Sequence, residues 1–452
     1  MDRRKFVKSI GLLGGAVLSG APVARVLAGE KSERGNSNGD YKNYDVIVIG
    51  GGTSGCAAAM AAAREGARTL LIEATNVLGG MGTSGLIPTW VPFSGREMLY
   101  GGIAEKVFRS LYKESDYQRI GLLDGLPVDA EALKRVYDEM LAGAEVEVLF
   151  NSRVVEVKNK TGKKVESVLV ASDSGLATYK GDFFIDCTGN ARAAAWAGAQ
   201  LQEIDDRQKT EDAGFCFLLG NVDFYSYTYQ FQKKTKATAE LIKTIVRSGK
   251  YPLLQESHFE NRLMNSSVVK FRASPVCQIA PNSRQTYTEG LFRGRAIAQQ
   301  VLQALKEYFP ETFAAAVLIN SATQLDLPVP SRILGDYVFT KSDFELRKSF
   351  DDEIGRNDYS SYHKLVYKKG ESHGIPYRIL TPLGLRNLLV AGKAVSVDKD
   401  ICGSLGTIPA CLTTGEAAGM ATGLLLKMKK RDVHTIDIPL LQNRLKEERQ
   451  NI

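Results

Sequence analysis

Residues 46–73 constrain the fold of this chain more than any other stretch. They read VIVIGGGTSGCAAAMAAAREGARTLLIE, and the apolar run Asp45–Ile49 leads directly into Gly50, Gly52 and Gly55, which have the spacing G-x-G-x-x-G. In such a turn the first glycine allows a tight bend, the second lets a pyrophosphate approach the backbone, and the third lets helix and strand pack closely. The spacing alone is weak evidence, because glycine turns are common.

The residues after the turn strengthen the prediction. An alanine-rich helix is expected over Cys56–Arg64, with Thr53 and Ser54 at its start, where free amides and the helix dipole attract phosphate. A second apolar strand, Arg68–Ile72, ends at Glu73, about 20 residues after the turn, where a carboxylate can hold a ribose 2′-hydroxyl. The stretch therefore predicts a Rossmann-like βαβ unit that binds a dinucleotide. A βαβ unit with a purely structural role is the alternative.

Length and charge exclude other classes of protein. A chain of 452 residues with 44% hydrophobic and 24% charged residues has a globular composition and is long enough for two domains. The formal net charge is +7, but residues 1–28 hold five basic side chains and one acidic one, so only +3 belongs to the rest. No basic stripe is interleaved with aromatic residues, and we therefore expect no nucleic-acid partner.

The start of the chain is typical of an export signal peptide. Residues 1–29 combine a charged start, an apolar run at Ile10–Leu18 and the small-residue sequence VLA. The start DRRKFVK resembles a twin-arginine signal with Arg3 and Arg4 as its pair, and an ordinary Sec signal is the alternative. We expect the twin-arginine export machinery to deliver the protein to the periplasm or beyond, because that route carries folded proteins with their cofactors. Residues 30–43 are polar and predict a flexible tether.

The cysteines do not indicate a metal site. Six cysteines show no C-x-x-C spacing and do not cluster with the four histidines. We therefore predict no metal. Folding in the reducing cytoplasm before export also argues against a need for disulfides.

A second glycine-rich segment follows Glu73. Gly79, Gly80 and Met81 lie in the loop NVLGGMGTSG, where backbone amides can lie against a flat or anionic ligand. An ordinary surface loop is the alternative. We assign these three residues to the cofactor site, together with Val154 in a later predicted strand.

Beyond this loop the sequence pattern predicts two domains built from interleaved segments. The predicted helices are 102–112, 130–142, 225–248 and 289–309, and the predicted strands are 146–150, 153–158, 164–171, 177–180, 215–219 and 268–271. The predicted domains are the first part of a cofactor-binding domain at 44–200, a substrate or cap domain at 201–369, the closing part of the first domain at 370–430, and a tail helix at 431–452.

Two later apolar strands also end at glycine turns. One ends at Thr188 and Gly189, before an alanine-rich helix, and the other ends at Gly392. Ligands of α/β sheets bind at the carboxyl ends of parallel strands, so we place these three residues in the cofactor site.

The last glycine-rich segment opens a long helix. Thr407 and Ile408 precede Pro409, and proline is favoured in the first turn of a helix. The positive end of the helix dipole is a suitable place for the negative charge of a reduced flavin. We therefore assign Thr407 and Ile408 to the cofactor site.

In this order the motifs resemble those of bacterial FAD-dependent oxidoreductases, which are distantly related to fumarate-reductase and glutathione-reductase-type flavoproteins. The matching segments are IGGGTSG with Glu73, the LGG loop, DCTGNA, PSRILGDYVFT, IPYR and LLVAGKAVS…GSLGTIPACLTTGEAAG. The resemblance covers nearly the whole chain after the signal. It implies an α/β fold with a Rossmann-like FAD-binding domain, an interleaved α+β cap domain and tightly bound FAD. Family members usually carry an arginine where this chain has Gly406, and their substrates are largely undefined.

Two functions of different classes fit these observations. The first is an exported flavoenzyme that transfers hydride between a small organic substrate and FAD, with an unidentified electron acceptor or donor. The second is a flavin-binding electron relay or interaction protein without a small-molecule substrate. The sequence does not decide between dehydrogenation and enoate reduction.

The catalytic residues are predicted from the segment that crosses back to the cofactor domain. His373 lies there, and its usual pKa of about 6.5 suits an acid/base that switches near neutral pH. Tyr377 is the alternative proton donor, and Arg378 and Arg332 are the predicted substrate-orienting cations. The alternatives are that His373 only bonds a loop and that each arginine forms an ordinary ion pair.

Overall fold

The computed structural model describes residues 42–87, 89–90, 98–112, 126–202, 211–279, 283–327, 331–358, 367–368 and 370–452. The predicted signal, and the predicted tether except for Lys42 and Asn43, lie outside these ranges. Those two residues begin the first strand, so the cofactor-binding domain starts earlier than position 44. Within the described ranges, no helix combines the length and apolar character that a membrane crossing requires.

The strands are β1 (Lys42–Ile49), β2 (Thr69–Ile72), β3 (Thr89–Trp90), β4 (Leu126–Pro127), β5 (Glu147–Leu149), β6 (Arg153–Lys158), β7 (Ser167–Ser172), β8 (Gly175–Asp186), β9 (Glu211–Gly220), β10 (Glu260–Leu263), β11 (Val269–Ile279), β12 (Val317–Ser321), β13 (Glu353–Asn357), β14 (His373–Pro376) and β15 (Leu388–Val390). The helices are α1 (Thr53–Arg64), α2 (Gly102–Leu111), α3 (Ala130–Gly143), α4 (Arg192–Trp196), α5 (Phe224–Ser226), α6 (Thr235–Arg247), α7 (Arg284–Tyr308), α8 (Pro310–Phe313), α9 (Lys341–Glu345), α10 (Cys402–Leu405), α11 (Ile408–Lys427) and α12 (Ile438–Glu447).

The first sheet contains the predicted βαβ unit. Its order is β5-β2-β1-β8-β7-β6, and β15 also pairs with β8. β1 is parallel to β2 and to β8, and α1 connects β1 to β2, so the sequence prediction of a Rossmann-like unit is confirmed. Strands β7 and β6 extend this sheet with antiparallel pairs.

β8 corrects the sequence prediction of a strand at 177–180 that is separate from the apolar strand before Thr188. It is one strand of 12 residues whose first part pairs with β7 and whose last residues pair with β15. Lys180 is exposed and Asp182 is half-buried, and the pairing of β8 with β1 continues through this polar stretch. One continuous strand therefore joins the antiparallel extension to the parallel sheet.

A second sheet forms the cap, with the order β10-β11-β9-β12 and antiparallel pairing throughout. Helix α7 packs against one face, where a β-carbon on Gly294 would touch the ring of Phe215. The single helix predicted at 225–248 is wrong in detail: α5, a π-helical turn over Tyr227–Gln232 and α6 occupy this segment. The ring of Tyr227 stacks on that of Phe231 within the turn.

The hydrophobic clusters correct the predicted end of the cap domain at residue 369. The cap cluster takes its later members from α7 to Leu325. Phe339, Phe344, Ile354 and Ile375 belong instead to the cluster around α1 and α11. The chain therefore returns to the cofactor-binding domain soon after Leu325.

Helices α1 and α11 lie in unusually close contact at the centre of that domain. Gly415, Gly419 and Gly423 recur at every fourth position of α11, so they share one face. A β-carbon on Gly415 would collide with the carbonyl oxygen of Ser54, and one on Gly419 with that of Ala58. The small residues thus bring the two helix backbones together, and this contact fixes the positions of the two N-termini relative to each other.

Candidate cofactor site

The glycine turn after β1 has the geometry that the sequence predicted. Gly50 has φ of +100° and donates its backbone N–H to Ile72 O at 2.8 Å. A β-carbon on Gly50 would lie 2.7 Å from the carbonyl oxygen of Cys187. A β-carbon on Gly55 would collide with the carbonyl oxygen of Gly50. Both positions therefore require glycine for the turn itself.

Gly52 has a different role, because nothing lies within 4 Å of the position of a β-carbon there. It is the N-cap of α1, and no side chain caps the helix. Thr53 and Ser54 form the first turn, and Thr53 Oγ1 donates to Gly79 O at 3.3 Å. The uncapped helix start and the open space beside Gly52 fit the pyrophosphate of a dinucleotide.

Glu73 lies directly beside this turn. Its Oε2 accepts the backbone N–H of Gly51 at 2.6 Å, and its Oε1 accepts the N–H and the hydroxyl of Thr75, each at 2.7 Å. The carbonyl of Glu73 also accepts the N–H of Ser152, so β6, which carries Val154, begins at its side. The structure thus holds the carboxylate at the turn, where the ribose contact was predicted.

The second glycine loop packs onto the first. Gly79 has φ of +94° and donates its N–H to Gly51 O at 2.8 Å. A β-carbon on Gly80 would lie 3.1 Å from Gly52 Cα. Gly80 begins a short 3₁₀ turn, Gly80–Gly82, that includes Met81. The predicted loop residues therefore adjoin the predicted phosphate site.

The turn after β15 also joins this edge of the sheet. Ala391 N–H donates to Asp186 O at 3.0 Å, which places the end of β15 next to the end of β8. A β-carbon on Gly392 would lie 2.6 Å from Ser54 Oγ, and the Gly392 N–H donates to Thr414 Oγ1 at 3.1 Å. Gly392 is thus fixed between α1 and α11.

The start of α11 completes the site. Thr407 is its N-cap and accepts the N–H of Ala410 at 3.4 Å. A β-carbon on Gly82 would lie 3.6 Å from Ile408 Cδ1. The structure therefore brings together the glycine turn, the second loop, the ends of β8 and β15 and the start of α11, as the sequence predicted.

Two residues at this edge were missed. Asp186 is buried and accepts hydrogen bonds from Thr188 N–H, Thr188 Oγ1 and Ala194 N–H at 2.7–2.9 Å, so it positions the Thr188-Gly189 turn. Burial raises the pKa of Asp186, and these hydrogen bonds oppose that effect. The place of Asp186 at the end of an apolar strand was the signal that could have identified it.

Lys393 is the second missed residue. A β-carbon on Gly189 would lie 3.4 Å from Lys393 Cε, and one on Gly406 would lie 3.5 Å from Lys393 Cβ. The lysine therefore lies between the turn after β8 and the start of α11. Its Nζ donates to Leu327 O at 3.1 Å, which ties the cofactor-binding domain to the end of the cap. Its place directly after Gly392 was the available signal.

The structure contradicts the predicted acid/base role of His373. The side chain is fully buried among Phe339, Phe344 and Tyr367. The Tyr367 hydroxyl donates to Phe344 O at 2.6 Å, so His373 Nδ1, 3.0 Å from that hydroxyl, acts as the donor to it. Burial, with the charge of Arg356 as a second cause, lowers the pKa of His373 to about 3. It is neutral at physiological pH and is not accessible to a ligand.

The structure also argues against Tyr377 and Arg378. Tyr377 is buried and donates to Val433 O, which follows the C-terminal end of α11 and so lies remote from Thr407. Arg378 forms a bidentate ion pair with Asp352, which is the ordinary ion pair given above as the alternative to a substrate-orienting role.

Arg332 lies closer to the cofactor residues. The next residue, Ile333, donates its N–H to Ala394 O at 3.1 Å, and Arg332 Nε donates to Val397 O at 3.0 Å. The structure thus places Arg332 beside residues 394–397, which follow Lys393. Its substrate-orienting role stays a prediction.

A buried neutral histidine makes stability depend on pH. Below pH 6.5 the unfolded chain binds a proton at His373 and the folded protein does not, so the free energy of unfolding falls as pH falls toward about 3. The His373 contribution at pH 5 is expected to be about 2 kcal/mol lower than at pH 7. Urea unfolding at both pH values should show this loss in the natural protein and a smaller one in His373→Gln. Equal losses in the two proteins would contradict the burial argument.

Comparison with known proteins found similar chains. Nicotine dehydrogenase from Pseudomonas putida (strain DSM 28022 / S16) is 33% identical over 101 residues, which are 22% of this chain and 20% of that protein. The match thus spans about a fifth of the length of that relative. A geranylgeranyl bacteriochlorophyll reductase-like protein from Thermoplasma acidophilum has a similar structure, with a TM-score of 0.46, 14% identity and coverage of 91% of this chain and 85% of that one. The anhydrotetracycline hydroxylase OxyS from Streptomyces rimosus has a TM-score of 0.45, 12% identity and coverage of 89% and 65%.

The match to a family model is much more extensive. The model of the FAD dependent oxidoreductase family matches residues 45–445, which include every residue assigned above to the cofactor site. This chain belongs to the FAD-dependent oxidoreductase family.

Proposed function

We propose that the protein transfers hydride between a small organic substrate and bound FAD. The observation that carries the proposal is the convergence of two helix N-termini, those of α1 and α11, with the ends of β1, β8 and β15 at one edge of the sheet. Bound FAD supplies the acceptor or donor of two electrons. The start of α1 suits the pyrophosphate, and the start of α11 suits negative charge on the reduced ring.

The cap supports an enzymatic role because it closes over the same edge. Thr323 donates its N–H and its hydroxyl to Ser84 O at 2.9 and 3.2 Å, so the end of β12 is fixed to the second glycine loop. Lys393 Nζ makes the further contact to Leu327. A cap held against the reactive side excludes water from the reaction.

The purified protein is expected to contain about one FAD per chain, released on denaturation and identified by chromatography, because the site has the form of a tight dinucleotide cradle. Anaerobic mixing with hydroxy acids and sugars, and mixing of the pre-reduced protein with enoates, should change the flavin absorbance for at least one compound. Bleaching identifies a dehydrogenase, and reoxidation identifies a reductase. Electron exchange with redox partners alone would favour the electron-relay function instead.

A further inference from the structure

The face of the cap sheet opposite α7 carries a pair of cations. Phe217 and Phe271 pair across β9 and β11 and stack with a centroid distance of 5.4 Å on the face that belongs to the cap core. Neighbouring positions point to the opposite face, so Lys270 and Arg272 lie there. This second face is the one that meets the cofactor-binding domain.

Lys270 makes that contact directly. Only 1% of its surface is exposed, and its Nζ donates to Ile87 O at 3.2 Å and to Val128 O at 3.1 Å. The N–H of Ile87 in turn donates to Met81 O at 2.9 Å. Two hydrogen bonds, through Ile87, thus connect the ammonium to the Gly80–Gly82 turn. This turn lies beside Ile408 at the start of α11.

Among the described residues, no carboxylate accepts a hydrogen bond from Lys270. Both of its acceptors are neutral backbone carbonyls, and among the described residues no acceptor takes the third N–H that an ammonium carries. Arg272, two residues away, differs: its Nε and Nη2 donate to Asp326 Oδ2 at 3.0 and 2.7 Å. The two cations of this face are therefore in different electrostatic states.

The groups around Lys270 explain the direction of its pKa. Burial lowers the pKa of Lys270 to about 8, and the neighbouring groups Cys216 and Asp129 only partly oppose this shift. Arg262 faces Lys270 in register on β10 and adds positive charge to the same face. The ammonium is thus mostly protonated at pH 7, and within the described ranges no anion is hydrogen-bonded to it, an arrangement that costs free energy until an anion binds.

A second lysine borders the same contact between cap and cofactor loops. Lys393 Nζ also donates to a neutral carbonyl, that of Leu327, the residue after Asp326. Two contacts, from Arg272 to Asp326 and from Lys393 to the next residue, Leu327, therefore follow the boundary from the cap face to the cofactor residues. One lysine thus lies on each side of this boundary, Lys270 on the cap and Lys393 beside the cofactor residues.

We propose that Lys270 recognises the substrate, and that the substrate carries a carboxylate or another anionic oxygen group. This inference rests on the proposed function, since it places the substrate between the cap face and the start of α11. The anion accepts the third N–H of Lys270 and supplies a counter-charge that is hydrogen-bonded to it.

Binding can be measured without turnover, through the perturbation of the flavin absorbance when a compound is added to the flavin-loaded protein. The probes are small carboxylates, each compared with its amide, together with inorganic phosphate. The variants are Lys270→Met, which keeps the length of the side chain and removes its charge, and Lys270→Arg, which keeps a charge that does not titrate in this range. Lys236→Met, at an exposed position of α6, is the matched control.

Carboxylates are expected to perturb the spectrum of the natural protein and of Lys236→Met more strongly than their amides. Lys270→Met should weaken this binding by roughly 10- to 100-fold, the range for a hydrogen bond to a charged group, while it retains flavin. Binding to the natural protein should weaken as pH rises through about 8, because the ammonium loses its proton, and binding to Lys270→Arg should not.

Three results would overturn the inference. The first is equal carboxylate affinity in Lys270→Met and the natural protein, and the second is tighter binding of the amides than of the carboxylates. The third is a flavin-loaded protein whose spectrum responds to no carboxylate at about 10 mM, a concentration that would reveal even millimolar binding. A natural protein that holds no flavin would instead overturn the proposed function, so the two failures are distinguishable.

Discussion

Gly52→Ala is expected to remove most of the flavin from the protein without unfolding it. Gly52 has φ of −67° and ψ of −179°, which alanine adopts freely, and nothing lies within 4 Å of the new methyl group. The methyl group instead occupies the space through which a pyrophosphate approaches the backbone. Loss of backbone hydrogen bonds to a charged phosphate should weaken FAD binding by at least about 100-fold.

Two measurements separate binding from folding here. Fluorescence titration of the deflavinated protein with FAD gives the dissociation constant, and thermal unfolding of the same preparation should give a Tm close to that of the natural protein. Gly143→Ala is the control, since Gly143 also has no atom within 4 Å of a β-carbon but lies at the far end of α3. An unchanged FAD affinity in Gly52→Ala would mean that no ligand approaches this turn.

The cofactor side of the site was predictable because its signals are local. The turn at Gly50, the carboxylate at Glu73 and the helix start at Thr407 each depend on a few consecutive residues, and the βαβ topology then places them together. The strand-end turns at Gly189 and Gly392 follow the same rule. Each of these predictions needed the hydrophobic pattern and the spacing of glycines, and no long-range contact.

The structure argues against the predicted roles of His373, Tyr377 and Arg378, because burial and ion pairing are not local properties of the sequence. The polar segment around His373 gave no sign that Phe339, Phe344 and Tyr367 enclose the imidazole. Asp352, the partner of Arg378, is 26 residues away in the chain. Residue type alone therefore suggested catalysis at positions that packing assigns to the core or to an ion pair.

The sequence also provided no indication of the buried cation Lys270. A lysine in a strand normally marks a solvent-facing position, and the sequence around Lys270 contains no binding motif. Its burial depends on Ile87 and Val128, 183 and 142 residues away. Only the docking of the cap onto the cofactor-binding domain identifies it as a buried cation.

The close contact of α1 with α11 links stability to cofactor binding. The two helices supply the N-termini of the site, and their separation is set by small residues along α11. A change that moves the helices apart should therefore affect folding and flavin retention together, whereas a change in the turn alone, such as Gly52→Ala, affects binding only.

Gly419→Ala is expected to destabilise the protein by about 2 kcal/mol or more. The added methyl group would collide with the carbonyl oxygen of Ala58, and overpacking of rigid backbone costs about 3 kcal/mol, at the upper end of the usual range. The better helix propensity of alanine offsets about 1 kcal/mol of this cost, so the net effect is still a loss of stability.

Urea unfolding of the deflavinated protein measures this loss, and the FAD titration should show weaker binding, since both helix N-termini shift. Gly143→Ala, which meets no atom within 4 Å, should leave both quantities near those of the natural protein. If Gly419→Ala is as stable as this control, the two helices do not pack at the distance that the structure shows, and the proposed link between their contact and the cofactor site fails.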